Sequence, residues 1–168
     1  MNFLNKNKKL FTMVCFLFCI GTLSAFFSLE KEKGIGEGIV LESIELNSFN
    51  NKYAQKKEDI VKKPYLLIEF FTLRCRHCKD NIKHLNELNK SDKLSVVGYI
   101  NANSKKVRAY AKKYAVEFTL SRASKIYMKT FNPVAVPMSF LVDTKTLKVK
   151  KSFIGKVTEA EVLKEIEL

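Results

Sequence analysis

Residues that break a chain into pieces are scarce here: six glycines and three prolines in 168 residues leave little room for long linkers. No stretch repeats at a solenoid period, which excludes a stacked-repeat architecture. Cysteine is scarce too. Of the four, Cys15 and Cys19 lie in an apolar run near the N-terminus, so only Cys75 and Cys78 remain and no disulfide framework can be built. Acidic residues are few, 17 against 30 Lys and Arg, for a formal net charge of +13. Neither an aromatic-interleaved basic motif nor zinc-finger spacing accompanies that charge, so it reads as a solvated lysine-rich face, with no nucleic-acid partner expected. What is present, 46% hydrophobic, 11% aromatic and 28% charged, is an ordinary globular composition that excludes wholesale disorder and fibrous repeats.

Leu10 to Leu29 is a run of twenty residues without a charge, preceded by Lys6, Lys8 and Lys9. At about 1.5 Å per residue a helix of this length spans roughly 30 Å, the thickness of a bilayer's hydrocarbon layer. Lysines ahead of the run keep its N-terminus in the cytoplasm, so residues 1–29 read as a signal-anchor with the rest of the chain on the extracytoplasmic, periplasmic side of the cell membrane. The competing reading is a cleaved signal peptide releasing the domain to the periplasm, with Thr22 and Ser24 as small residues near the cut. Residues 30–38, charged and carrying three glycines, suit a flexible tether, which places the folded domain at 39–168. Beyond Leu29 there are 27 basic and 17 acidic residues, a surface that attracts anionic lipid or acidic partners.

Within the domain, Ile39 to Leu46 alternates weakly, as an edge strand does. Tyr65 to Thr72 is a near-continuous apolar run of strand length, interrupted by Glu69, and fits a central strand buried on both faces. Ile82, Leu85 and Leu88 recur at helical spacing, Leu94 to Ile100 is a second core strand, and Val107, Tyr110, Ala111 and Tyr114 share one face of a helix. Ser124 to Phe131 reads as helix, and 139–142 with 147–153 as a hairpin turning at 143–146. Thr158 and Glu161 form a capping box ahead of a last helix. The order of elements predicts an α/β domain with a mixed sheet.

The strongest chemical signal is Cys75-Arg76-His77-Cys78. Two cysteines three apart at a helix start can close a small disulfide ring. At that terminus the free N–H groups and the positive end of the helix dipole favour thiolate over thiol, which makes Cys75 a nucleophile near neutral pH. Arg74, Arg76 and His77 add positive charge and depress the thiol further. A thiolate stabilised in this way also stabilises the dithiol, so the disulfide becomes more oxidising. Cys-x-x-Cys is equally half of a zinc site, but the second pair is missing, since His77 lies between the cysteines and His84 two turns beyond them. His84 reads as an ordinary helix-surface residue.

Ile68-Glu69-Phe70-Phe71-Thr72 followed by Cys75-x-x-Cys78, then 134–143 (VAVPMSFLVD) and a late Gly155, resembles the thioredoxin superfamily, most closely its exported, membrane-anchored TlpA and ResA branch. The resemblance implies a thioredoxin-like fold and protein disulfide oxidoreductase activity without a cofactor. It also implies that Val136 and Pro137 face the cysteine pair across a cis peptide bond, with backbone free to pair with a substrate strand. Glu69, six residues before Cys75, stands where thioredoxins keep a buried acid; a carboxylate in an apolar strand has a raised pKa and can exchange protons with Cys78. The chain departs from the pattern at Arg74, where a tryptophan is usual. His77 precedes the second cysteine as in the oxidase DsbA, and Asn81 and Lys83 replace the acid and proline of TlpA and ResA relatives.

The expected function is therefore thiol–disulfide exchange with protein thiols and disulfides, Cys75 attacking or being attacked and Cys78 resolving the intermediate. The branch implies reduction of specific disulfides, as in cytochrome c maturation, with a membrane redox partner of DsbD or CcdA type. The alternative is a DsbA-like oxidase served by a DsbB-type partner. From a different class, the two soft thiolates also suit a copper(I) metallochaperone.

Overall fold

The structure, a computed structural model, describes residues 34–49 and 52–167. The expected anchor at 10–29 lies outside the described residues, and among those described no helix is long and apolar enough to cross a membrane. The elements in order are α1 (Lys57–Lys62), β1 (Tyr65–Phe70), α2 (Arg76–Asn89), β2 (Leu94–Tyr99), α3 (Ser104–Lys113), β3 (Thr119–Ser121), α4 (Lys125–Phe131), β4 (Met138–Asp143), β5 (Val149–Ile154) and α5 (Glu159–Glu167).

Five strands form one mixed sheet in the order β3-β2-β1-β4-β5, with β1, β2 and β3 parallel and β4 and β5 antiparallel to their neighbours. The apolar run of β1 puts it at the centre. Because successive side chains point to opposite faces, Leu67 enters one core while Leu66, Ile68 and Phe70 enter the other. The first core is closed by Ile82, Leu85 and Leu88 of α2, Val107 and Tyr110 of α3, and Val162 and Ile166 of α5. The second holds an aromatic group in which Phe70 lies 5.5 Å from Tyr99, 5.4 Å from Phe131 and 5.9 Å from Phe140, ring centre to ring centre. The helical and strand periods that predicted a mixed α/β sheet are the ones that fill these two cores.

Several polar contacts fix α2 against the sheet. The Asn89 side chain accepts from Val96 N–H at 2.9 Å and donates to the Glu117 carbonyl at 2.9 Å, and Asn86 bonds the backbone of Glu117 and Ala115 in the same manner. Lys63 Nζ donates to the carbonyls of Asn89, Ser91 and Leu94 near the helix C-terminus, where the dipole favours a cation. Gly98 of β2 pairs with Glu69 of β1, and a Cβ there would stand 2.6 Å from the Phe71 ring, so the close approach requires glycine.

One sequence expectation changes, and two elements appear that the sequence does not announce. Ile39 to Leu46 makes one isolated bridge, Val40 with Lys148, and no strand; Leu41 and Ile44 are its buried residues, spaced by three, which an extended strand does not allow on one face. The polar stretch 47–63, whose sequence shows no helical period, contains α1, with Ile60 as its buried residue. Thr119 to Ser121, too short a segment to read from sequence, forms the edge strand β3. In addition, the last part of the expected tether, Gly34 to Gly38, is fastened to β5: Gly38 N–H donates to the Val149 carbonyl at 2.9 Å and Glu37 pairs with Lys151 at 3.0 Å.

Candidate functional site

The chain leaves β1 at Phe70, crosses five residues and enters α2 at Arg76. Cys75 is the N-cap of that helix, with extended backbone, and its Sγ accepts the Cys78 N–H at 3.0 Å. Cys75 and Cys78 are disulfide-bonded, their Cα atoms 5.3 Å apart. The two sulfurs differ in access. Cys78 belongs to the first core and is 1% exposed, whereas Cys75 is half-buried at the surface. Exchange requires the attacking sulfur to reach a disulfide sulfur, so only Cys75 is open to a protein substrate, while Cys78 can act from inside once Cys75 is occupied. The first turn of α2 carries no acidic residue, and Arg76 and His77 are exposed in it. A thiolate at Cys75 would meet the Cys78 N–H and the helix terminus without an opposing negative charge from that turn.

Facing the disulfide is the loop before β4. The Val136–Pro137 peptide bond is cis, as the resemblance implied. The Val136 carbonyl oxygen lies 3.7 Å from Cys75 Sγ; the oxidised sulfur has no proton to donate, so this is a contact, which a reduced Cys75 turns into an S–H donor. Pro137 is buried and its carbonyl accepts Gly155 N–H at 2.9 Å, with Gly155 at φ +91°, a conformation that favours glycine. Val134 and Val136 on this loop, and Ile154, which pairs with Met138 just after it, are exposed apolar residues.

Glu69, the last residue but one of β1, is fully buried and joined to the helix that carries Cys78 through Asn81. Asn81 Nδ2 donates to both of its oxygens, at 3.0 and 3.1 Å, and Ser139 Oγ donates to Oε2 at 2.5 Å. Burial pushes the Glu69 carboxyl up to about 7, and the donors from Ser139 and Asn81 oppose that rise. Tyr110 of α3 is also buried, its hydroxyl has no hydrogen-bond partner among the described residues, and desolvation followed by the charges of Tyr114 and Glu69 pushes it up to about 12.

The structure thus brings Cys75 and the Val136–Pro137 loop together, with Cys75 and Val136 reaching the surface and Cys78, Pro137 and Glu69 buried. Arg76 and His77 lie between the two cysteines and are both exposed. In the sequence Asn81 stands out only as a departure from the family pattern, yet its amide bonds both oxygens of Glu69. The signal was its spacing, since 78, 81, 82, 85 and 88 form one buried helical stripe. His84, expected as a plain surface residue, is partly buried and its Nδ1 lies 3.1 Å from the Glu159 carboxylate of α5.

No family model matches the chain. The thioredoxin-like protein YneN of Bacillus subtilis is 26% identical over 146 residues, spanning 83% of this chain and 84% of that protein. A thiol:disulfide interchange protein of Chlorobium tepidum superposes with a TM-score of 0.64 at 18% identity, covering 78% of this chain and 95% of that one. A DsbF homologue of Corynebacterium diphtheriae gives 0.64 at 17% identity over 84% and 96%, and StoA of Bacillus subtilis 0.54 at 21% over 79% and 98%. The fold is thioredoxin-like.

Proposed function

We propose that this protein is a thiol–disulfide oxidoreductase, held on the extracytoplasmic side of a membrane by residues 10–29, that reduces specific disulfides of exported proteins, as in cytochrome c maturation. The carrying observation is the unequal pair: a disulfide at a helix N-terminus with Cys75 accessible and Cys78 sealed in the core, facing the Val136–Pro137 loop. The neighbouring structures named for thiol:disulfide interchange support the activity.

In the reductive direction the Cys75 thiolate attacks a substrate disulfide, forms a Cys75–substrate bond and expels one substrate thiolate. Cys78 then loses its proton to the Glu69 carboxylate and attacks Cys75 Sγ. The mixed disulfide breaks, the second substrate sulfur leaves as thiolate, and the Cys75–Cys78 bond forms; two electrons have passed to the substrate. A membrane partner of DsbD or CcdA type restores the dithiol. The exposed apolar residues Val134, Val136 and Ile154 offer a landing surface for the substrate segment around its disulfide.

The test is the soluble domain's turnover of insulin disulfides with dithiothreitol, together with its reduction potential. Reduction predicts turnover and a potential nearer the thioredoxin value of about −270 mV than the DsbA value of about −120 mV. The oxidase alternative, favoured by the exposed Arg76 and His77 beside Cys75, predicts a potential near the DsbA value. Tight copper(I) binding by the reduced domain without any disulfide turnover would select the metallochaperone instead.

A further inference from the structure

Asn81 has a fixed orientation. Its Oδ1 accepts the Val157 backbone N–H at 3.0 Å, and that group can only donate, so Nδ2 must point the other way, to the two oxygens of Glu69. The amide is fully buried and joins three distant parts of the chain: β1 through Glu69, α2 through its own backbone, and the junction of β5 and α5 through Val157. Asn81 also lies one helical turn beyond Cys78, on the same buried stripe. We propose that Asn81 is a positioning residue that holds the Glu69 carboxylate for proton exchange with Cys78 and makes its charged form accessible inside the core.

The geometry gives the reason. A carboxylate buried beside Leu67 and Phe71 has lost its water, and a bare charge there is costly. Two N–H bonds from one rigid amide and the Ser139 hydroxyl replace part of that hydration. All three contacts stabilise the ion; the amide of Asn81 can give its N–H groups to an ionised or a protonated acid but gains most from the ion. The elements packed over Glu69 bring few titratable groups: Cys78 on α2 and Tyr110 on α3, with β4 offering Ser139, β2 offering Gly98 and the β5–α5 junction offering the Val157 backbone. In the oxidised protein Cys78 does not titrate, so Glu69 can be followed there alone.

This inference rests on the proposed exchange chemistry, but its test does not need turnover. The protonated carboxyl band of Glu69 is followed by infrared spectroscopy across pH in the oxidised protein, assigned by difference against Glu69→Gln. Asn81→Leu removes both donors. Asn81→Asp keeps an acceptor for Val157 N–H, and so the tie to α5, while replacing the donors by a second acid. In each folded variant the band should persist at least about one pH unit higher than in the wild type, a tenfold rise in proton affinity. In stopped-flow measurements the intramolecular attack of Cys78 at pH 7 should then slow roughly fivefold in Asn81→Leu and recover at higher pH, because less Glu69 is ionised to accept the proton. A midpoint that does not move in Asn81→Asp overturns the proposal. So does one that falls toward 4.5 in either variant, which is what simple loosening and water entry around Glu69 would produce. Insulin turnover lost in Cys75→Ser but present in the wild type tests the exchange reading separately, so the two can fail independently.

Discussion

Ser139 stands directly opposite Glu69 in the antiparallel β1–β4 register, and its hydroxyl donates to Glu69 Oε2 at 2.5 Å. The strand that follows the cis proline therefore also solvates the buried acid. Pro137 and Ser139 are two residues apart, so the loop that meets Cys75 from outside and the hydroxyl that meets Glu69 from inside come from one strand start. A shift of β4 would be felt at both places.

Burying Glu69 makes stability depend on pH with a definite sign. Its carboxyl is raised from 4.5 to about 7 by desolvation, so the folded chain holds the proton where the unfolded chain has released it. Stability is then highest below 4.5 and declines as pH rises toward 7, by an amount approaching about 3 kcal/mol. Asp143, lowered by the backbone N–H of Thr146, and Glu161, lowered by the Thr158 hydroxyl, act in the opposite sense but only at more acid pH. Urea unfolding of the oxidised protein between pH 5 and 8 should show this decline, and Glu69→Gln should flatten it. A wild-type profile that rises over that interval would mean Glu69 is ionised without cost.

Arg76 and His77 test how far loop charge tunes the pair. Arg76→Gly with His77→Pro removes the adjacent cationic side chains but keeps the helix terminus, since proline is tolerated in a first turn. The Cys75 thiol of the reduced protein should titrate below the reference of about 8.5 in the wild type and move up toward about 7, the thioredoxin value, if it starts lower. The potential should become more negative by roughly 30 mV for each pH unit of that shift. Thiolate absorbance across pH reads the first quantity and glutathione equilibration the second. An unmoved thiol would make the two side chains solvated bystanders.

Gly98→Ala probes the packing around the acid. The new methyl would lie 2.6 Å from the Phe71 ring and 2.9 Å from Phe118, both buried, so something in the core must give. A loss of about 1–3 kcal/mol in unfolding free energy is expected. Stability equal to wild type would show that Phe71 can swing clear, and with it the segment leading to Cys75.

Much of the site is legible in sequence because its chemistry is local. Cys75 and Cys78 sit in four consecutive residues, and Pro137 precedes an unmistakable strand. Glu69 is conspicuous as the lone acid in an apolar run. Asn81 is not, because its meaning lies in partners 12 and 76 positions away and an asparagine on a helix ordinarily faces water. The same holds for α1, whose single buried residue, Ile60, gives no periodicity to detect. Ile39 to Leu46 misled in the other direction: its alternation resembles a strand, but it lies beside the sheet with one bridge and turns Leu41 and Ile44 into the core at irregular spacing.

The most direct measurement is capture of mixed disulfides by variants that keep one cysteine of the pair. With Cys78→Ala the accessible Cys75 can attack or be attacked but nothing can resolve the bond, so substrates should accumulate as adducts on non-reducing gels and vanish on reduction. With Cys75→Ala the other sulfur of the pair, Cys78, is sealed in the core and should form no adducts. Equal capture by both variants, or none by either, would contradict the division of labour between Cys75 and Cys78 on which the exchange mechanism depends.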